Sequence, residues 1–207
     1  MTRSVLRLAI PALSALALVA WTAPSRAQEN ATQRLRGQVT RVVGDVIYLR
    51  ATNGVPATVL LAPNATVTAV TPAKLSDIQP GRFVGTAARP EPSGRWLTIE
   101  VHIFPPGERF GEGHYPWAPE PGATMTNADV VAAALKAGKG EMTLNTGGRT
   151  YEFDVPKGTP IVAMAPGTRD LIKKGAQVSI RRAEPGAGGS YTAKSIEVTP
   201  APNKPTK

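Results

Sequence analysis

Cysteine is absent from this chain of 207 residues. A chain without cysteine forms no disulfides, and it has no thiol nucleophile or thiolate metal ligand. Histidine is nearly absent too, since only His102 and His114 occur, and aromatic residues make up 5% of the chain. The sequence therefore excludes cysteine chemistry and leaves few groups for a metal centre. Stability has to come from the burial of apolar side chains.

Long apolar runs are also missing, apart from one near the N-terminus. Basic Arg3 and Arg7 precede an apolar run over residues 8–21, and small residues at positions 25 and 27 suit signal peptidase. The run is shorter than the roughly 20 residues that a spanning helix needs. We therefore expect residues 1–27 to be a cleaved signal peptide and the mature protein to be periplasmic or secreted, without spanning the membrane.

Charge of one sign is not concentrated along the sequence. The formal net charge is +9, and it falls to +6 when the three arginines of the signal peptide are removed, with 15 acidic residues spread along the chain. Pairs such as Lys173-Lys174 and Arg181-Arg182 are typical of solvated loops and strand faces. A nucleic-acid partner is not expected.

Proline and glycine are abundant, with 20 of each, and they separate short apolar runs. This pattern is typical of an all-β chain with many tight turns. Residues 44–84 align with residues 138–178 at an offset of 94, matching Gly81 with Gly175, and Ile99 meets Ile196 near the end of each copy. An internal repeat of this kind predicts the architecture. We expect two tandem five-stranded OB-like barrels from a duplication.

The first copy predicts strands over residues 35–43, 45–50 and 56–61, with Asn53-Gly54 as a hairpin turn and Pro63-Asn64 as a break. A short helical turn within residues 72–79 precedes the last hairpin, formed by residues 82–88 and 96–104. In the second copy, residues 129–137 have helical propensity, but the repeat favours a strand there, because burial often overrides propensity.

These patterns divide the chain into five parts. Residues 1–27 are the expected signal peptide, 28–104 the first barrel, 105–128 an ordered connector, 129–199 the second barrel and 200–207 a disordered tail.

The connector contains Gly111-Glu112-Gly113-His114, Pro116-Trp117, Pro121-Gly122 and Thr124-Met125-Thr126-Asn127. With its flanking copies, this segment resembles a family of uncharacterised exported proteobacterial proteins that carry small β-barrel domains of unknown function. The resemblance covers essentially the mature chain. It implies the fold and an exported location, but no activity.

The candidate metal ligands are His114, Glu112, His102 and Glu108, because imidazole and carboxylate groups together bind zinc and other divalent ions. Their spacing fits no known ligand signature, so an ordinary hydrogen-bonding role for the histidines stays open. We find no catalytic serine arrangement and no phosphate-binding loop, and no cofactor is expected.

A non-catalytic binding or interaction module of the cell envelope fits these features best, with an unidentified envelope protein or polymer as its partner. The connector residues Glu112, His114, Tyr115 and Trp117 are the predicted binding residues. Tyr115 and Trp117 should anchor the connector to the barrels. The alternative is a metal-binding protein or metal-dependent enzyme that uses the connector His and Glu residues.

Overall fold

A computed structural model describes residues 31–136 and 139–201, and its regular structure is almost entirely β. The all-β class predicted from the sequence is confirmed. The strands are β1 (Gln33–Val43), β2 (Val46–Ala51), β3 (Pro56–Pro72), β4 (Phe83–Pro90), β5 (Trp96–Ile103), β6 (Gly113–Pro116), β7 (Thr124–Lys136), β8 (Lys139–Thr146), β9 (Arg149–Val155), β10 (Ile161–Pro166), β11 (Gln177–Pro185) and β12 (Tyr191–Thr199). Short 3-10 helices occur at Leu75–Asp77, Arg169–Leu171 and Ala187–Gly189.

The predicted signal peptide, residues 1–27, lies outside the described residues, as does residue 202 onward of the predicted tail. Among the residues that are described, no helix has the length and apolar character needed to cross a membrane.

Alternating burial explains why these segments form strands. In β2, Ile47 and Leu49 are buried, whereas Val46, Tyr48 and Arg50 alternate with them on the opposite side. The hairpin turn predicted at Asn53-Gly54 joins β2 to β3, and Gly54 adopts a φ of 82°, which glycine reaches without steric cost. The alternation defines an inward and an outward face for strands such as β2, whereas β4 is covered on both sides, since residues 83–88 are all buried.

Five strands close into a barrel in the order β1, β2, β3, β12 and β11, and β11 returns to β1. The contact of β3 with β12 is parallel and sets Val67 opposite Ile196, whereas the other four contacts are antiparallel. The barrel core consists of Val39, Ile47, Leu49, Val59, Leu61, Val67, Ile172, Ala176, Val178, Ile180, Ala183, Ala193, Ile196 and Val198.

The other strands form a second group with its own core. β4 pairs with β5 and β7, β8 pairs with β7 and β9, and a short parallel contact joins Trp96 of β5 to Phe153 of β9. β10 pairs with both β3 and β5 and so links the group to the barrel. The second core consists of Ile78, Val84, Ala88, Val101, Ile103, Ala128, Val130, Met142, Leu144, Phe153, Val155 and Ile161.

Two tandem barrels, each made from its own half of the chain, are not confirmed. The barrel takes β1, β2 and β3 from the first half, but β11 and β12 from the second half. The reason lies in β3, which runs without interruption from Pro56 to Pro72 and carries the chain out of the barrel to β10.

The predicted break at Pro63-Asn64 is therefore wrong. At this point the register of β12 against β3 shifts, between Ala193 and Ser195, so the prolyl residue is accommodated at an irregularity of the sheet instead of ending the strand.

The strand predicted for residues 129–137 is confirmed over residues 129–136, since β7 includes them. Residue 137 lies outside the described residues. β7 begins earlier than expected, at Thr124, because residues 124–129 pair with β4. The last five residues of the predicted connector, 124–128, therefore belong to a strand.

Candidate functional site

The connector is held against the second group by a short strand. β6 runs antiparallel to the start of β7, with His114 opposite Thr126 and Tyr115 opposite Met125. Pro116 ends β6, and proline suits this position because it has no N–H to donate to a further strand. The pairing puts the side chain of His114 on the same face as Thr126, which is fully buried.

The side chain of Asn127, a residue of β7, holds the connector in place. Its side chain is 7% exposed, and its Nδ2 atom lies 3.0 Å from the Phe110 carbonyl oxygen, 2.9 Å from that of Gly111 and 2.7 Å from the Tyr115 hydroxyl. The two N–H groups of the amide are shared among these three oxygen atoms. These hydrogen bonds are costly to break, because the buried amide of Asn127 would be left without partners. Asn127 therefore holds the loop before β6 and one side chain of β6 together.

An ion-pair network lies beside this contact. Arg109 makes two hydrogen bonds to the carboxylate of Asp129, both 2.8 Å long, and its Nη2 atom lies 3.1 Å from Glu112 Oε1. Its guanidinium also lies 4.7 Å from the ring centroid of Phe83. The hydrogen bond from Arg109 lowers the pKa of Asp129, and the two carboxylates raise the pKa of Arg109. Glu112 is thus engaged with its own connector.

His114 lies between two aromatic rings. It stacks on Tyr151, with centroids 4.5 Å apart and planes inclined by 15°, and it meets the Trp96 ring edge-on at 4.8 Å. Its Nδ1 atom is 2.8 Å from Thr126 Oγ1. Burial lowers the pKa of His114 below its usual value. Since Trp96 and Tyr151 both pack on the second core, the imidazole covers one end of that core.

Other connector side chains face outward. Phe110 is 70% exposed and Tyr115 is 40% exposed, although the Tyr115 hydroxyl is bound by Asn127. Glu108 is exposed as well. Trp117 is half-buried, and its backbone N–H donates to the Ala123 carbonyl across the turn that leads into β7. The connector therefore presents aromatic surface beside β6.

His102 lies in a different environment from His114. It points outward from β5, between buried Val101 and Ile103, and its Nε2 atom is 3.6 Å from Glu100 Oε1. A groove of about 200 Å³ beside it is lined also by Arg36 and Glu197. Burial lowers the pKa of His102, and the nearby Glu100 carboxylate opposes this effect.

The structure does not bring the four candidate metal ligands together. His102 contacts Glu100 in the groove, His114 is enclosed by aromatic rings and Glu112 binds Arg109. Across residues 31–136 and 139–201, no three His, Asp or Glu side chains come close enough to one another to hold a metal ion.

Several residues of this region carried no signal in the sequence. Arg109, Asp129 and Asn127 are ordinary polar residues there, and Trp96 and Tyr151 are isolated aromatics. Their contacts with the connector join positions 12 to 37 residues apart in the chain. The sequence placed the connector between the two predicted copies, but it did not show which strands the connector contacts.

Comparisons with known proteins give no match: no family model, no curated protein and no solved structure is similar to this chain. The resemblance of the connector to an exported protein family therefore stays a prediction from the sequence.

Proposed function

We propose that this protein is a non-catalytic binding module of the bacterial cell envelope, and that it binds its partner at the connector. The observation that carries the proposal is the free edge of β6. Within the described ranges β6 pairs only with β7, and two exposed aromatic side chains lie close to it in the chain, Tyr115 within the strand and Phe110 three residues before it.

An edge strand offers unpaired backbone N–H and C=O groups, and an extended partner segment can pair with them. The short length of β6 and its terminal Pro116 restrict such pairing to a few residues. Exposed aromatic side chains beside the edge supply apolar contact area, and aromatic residues are enriched in protein interfaces. Asn127 and Arg109 hold the connector rigidly, which lowers the entropy lost on binding.

The connector chemistry supports binding over catalysis. Arg109 and Glu112 of the connector form an ion-pair network with Asp129 of β7, and His114 packs against the rings of Trp96 and Tyr151. A general base accepts a proton from the substrate, whereas the carboxylates of Glu112 and Asp129 already accept hydrogen bonds from Arg109. No observation on the described residues favours the alternative of a metal-dependent function. The envelope location rests on the expected signal peptide.

We also propose that the chain consists of two OB-like copies that exchange their last hairpins. Support comes from the order of the elements. Up to β5 there are three strands, a 3-10 helix and two strands; from β7 to β12 the same order recurs when β9 and β10 together are matched with the long β3, with an added 3-10 helix between β11 and β12. Ile78 of the first copy packs in the second core, whereas Ile172 of the second copy packs in the barrel core.

Strand pairing supports a corrected alignment of these copies. Val84 pairs with Ile103 in the first hairpin, and Val178 pairs with Val198 in the last. Ile103 then corresponds to Val198, and Val101 corresponds to Ile196. The sequence alignment, which matched Ile99 with Ile196, is shifted by two residues at this strand. Ile99 itself lies at a bulge of β5, where the register against β4 shifts, so Thr98 and not Ile99 shares the buried face with Val101.

A binding experiment with one matched control tests the proposed function. The mature chain, residues 28–207, is immobilised and exposed to a membrane-free envelope extract, and the retained proteins are quantified by mass spectrometry. Phe110→Ser should remove the retained partner, because it deletes exposed aromatic contact area at the connector. Leu135→Ser should not, although Leu135 is 72% exposed, because it lies at the far end of β7.

The same partner must be retained by the wild type and by Leu135→Ser, and lost with Phe110→Ser. Equal retention by all three proteins would show that the connector is not the binding surface. Elemental analysis of the purified protein addresses the alternative, because a stoichiometric metal would contradict the present proposal.

A further inference from the structure

Charge is distributed unevenly between the barrel and the second group. Residues 33–72 and 167–201, which contain the barrel strands, include ten Lys or Arg and four Asp or Glu. Residues 73–166 include nine basic and ten acidic residues. The formal charges are therefore +6 and −1. The excess positive charge of the mature chain is concentrated on the barrel, although it is spread out along the sequence.

Strand pairing brings the arginines of distant segments together. Arg34 and Arg36 lie on β1, next to β11, where Leu35 is opposite Ile180 and Arg36 is opposite Ser179. Because the register shifts between Gln33 and Leu35, Arg34 lies opposite the segment that contains Arg181 and Arg182.

On the other side of β1, Arg50 of β2 is opposite Gln38, and Arg41 is opposite Tyr48 with its guanidinium 4.0 Å from the ring centroid. We call the outward side of β1 and β2, with the adjoining parts of β3 and β11, the basic face.

The arginines of the basic face mostly lack acidic partners. Among the described residues, Arg34, Arg36, Arg41, Arg50 and Arg182 have no carboxylate within ion-pair distance, whereas Arg181 is paired with Glu197. All of these arginines are exposed. In the second group, by contrast, Arg89, Arg95 and Arg109 each bind a carboxylate. The basic face therefore carries an excess of positive charge, although Arg36 also lines the groove that contains Glu100 and Glu197.

Exposed apolar side chains adjoin these arginines. Val43 of β1 pairs with Val46 of β2, and Val46 pairs with Leu60 of β3. Val43 is 52% exposed and Leu60 is 46% exposed. This row is next to the row of Arg41 and Tyr48 on the same side of the strands, because side chains two residues apart share a face. Apolar, aromatic and cationic groups thus occupy one continuous surface.

We propose that the basic face docks on the surface of an anionic phospholipid bilayer. Arginine guanidinium groups match lipid phosphates in geometry and charge, and anionic lipids attract basic surfaces. Val43 and Leu60 insert at the boundary between headgroups and acyl chains, where apolar side chains gain by leaving water. A soluble polyanion would be matched by the arginines but would leave this apolar row in water. The docking surface is separate from the connector, so it goes beyond the proposed function.

Vesicle co-sedimentation of residues 28–207 tests the proposal. The protein should sediment with vesicles of equal parts phosphatidylglycerol and phosphatidylcholine, and not with vesicles of phosphatidylcholine alone. Arg36→Gln with Arg50→Gln should lower the partition coefficient about 25-fold, since each basic residue contributes roughly fivefold near an anionic surface. Lys139→Gln with Arg149→Gln is the matched control, because it removes two exposed cations from the second group. This control should change the partition coefficient less than about twofold.

A third variant separates lipid from soluble polyanions. Val43→Ser with Leu60→Ser should weaken binding to the mixed vesicles but leave binding to long-chain polyphosphate unchanged. Thermal unfolding of each variant checks that the barrel is intact. The proposal is overturned if the wild-type protein does not sediment with the mixed vesicles, or if both charge variants weaken binding equally. It is also overturned if the Val43→Ser, Leu60→Ser variant binds the vesicles as well as the wild type does. None of these results depends on the connector.

Discussion

His114 shows how a single residue can be conspicuous in the sequence while its role is set by its surroundings. It is one of two histidines in a chain of few aromatics, and this made it a candidate ligand. The structure surrounds it with Trp96 and Tyr151, which lie far from it in the chain. Its position in the connector was predictable, because the connector is the segment between the two predicted copies. Its neighbours were not, because no local pattern shows which core a connector covers.

The burial of His114 predicts the sign of a pH effect. Its pKa is lowered in the folded state, so the neutral imidazole stabilises the fold. This stability is present above the unfolded pKa of about 6.5 and is lost as the pH falls below that value towards the folded pKa. Nuclear magnetic resonance titration of His114 should give a pKa below about 6.5.

Removing the titrating group provides the control. The melting temperature of His114→Gln should fall less than that of the wild type between neutral and mildly acidic pH, and the remaining change should reflect His102, whose pKa is lowered as well. A measured His114 pKa above its ordinary value would contradict the prediction and indicate that the Trp96 and Tyr151 rings stabilise the charged imidazolium more than burial disfavours it.

At the scale of the element, β6 is a four-residue strand whose stability depends on side chains outside it. Such a short strand makes few backbone hydrogen bonds, and an isolated pairing of this length is marginal in water. Asn127 supplies bonds to Phe110, Gly111 and Tyr115. We infer that this one amide fixes the connector on β7.

Asn127→Asp should detach the connector, because it replaces the amide donor by a carboxylate that is repelled by the carbonyl oxygens of Phe110 and Gly111. The free energy of unfolding should fall by about 2 kcal/mol. Hydrogen exchange at β6 should become faster. Asn145→Asp is the matched control, because Asn145 makes one side-chain hydrogen bond, to Thr150, and it should have a small effect. Unchanged protection of β6 in Asn127→Asp would show that backbone pairing alone holds the connector.

Two segments show that local sequence patterns do not always determine the secondary structure. The alanine-rich segment at 129–136 is a strand in spite of its helical propensity, because pairing with β8 uses its backbone groups. Pro63 was a strong local break signal, and β3 nevertheless passes through it. Both outcomes depend on partner strands, which are β8 for residues 129–136 and β12 and β10 for β3.

At the scale of the whole molecule, the barrel joins the first three strands to the last two. Val178, Ile180, Ile196 and Val198 complete the core around Ile47 and the other inward residues of β1 to β3. Residues 28–104, the first barrel predicted from the sequence, lack these strands. Folding of the two halves should therefore be mutually dependent.

We expect the fragment 28–104 to be unfolded on its own, with a poorly dispersed amide spectrum and no cooperative thermal transition, because its apolar strands remain uncovered. Addition of the fragment 105–207 should restore both properties. A well-dispersed spectrum from 28–104 alone would show that β4 and β5 can close on β1 to β3, which is the tandem arrangement that the sequence predicted.

The sequence by itself determined the all-β class and most strand positions, because the alternation of apolar residues and the placing of glycine and proline are local properties. Only the tertiary structure decided which strands are neighbours. Backbone hydrogen bonding between strands carries little sequence information, so β4 and β11 were equally acceptable partners for β1 in the sequence. That choice brought Arg34 and Arg36 next to Arg181 and Arg182, and it gathered on one barrel the positive charge that the sequence spreads over its length.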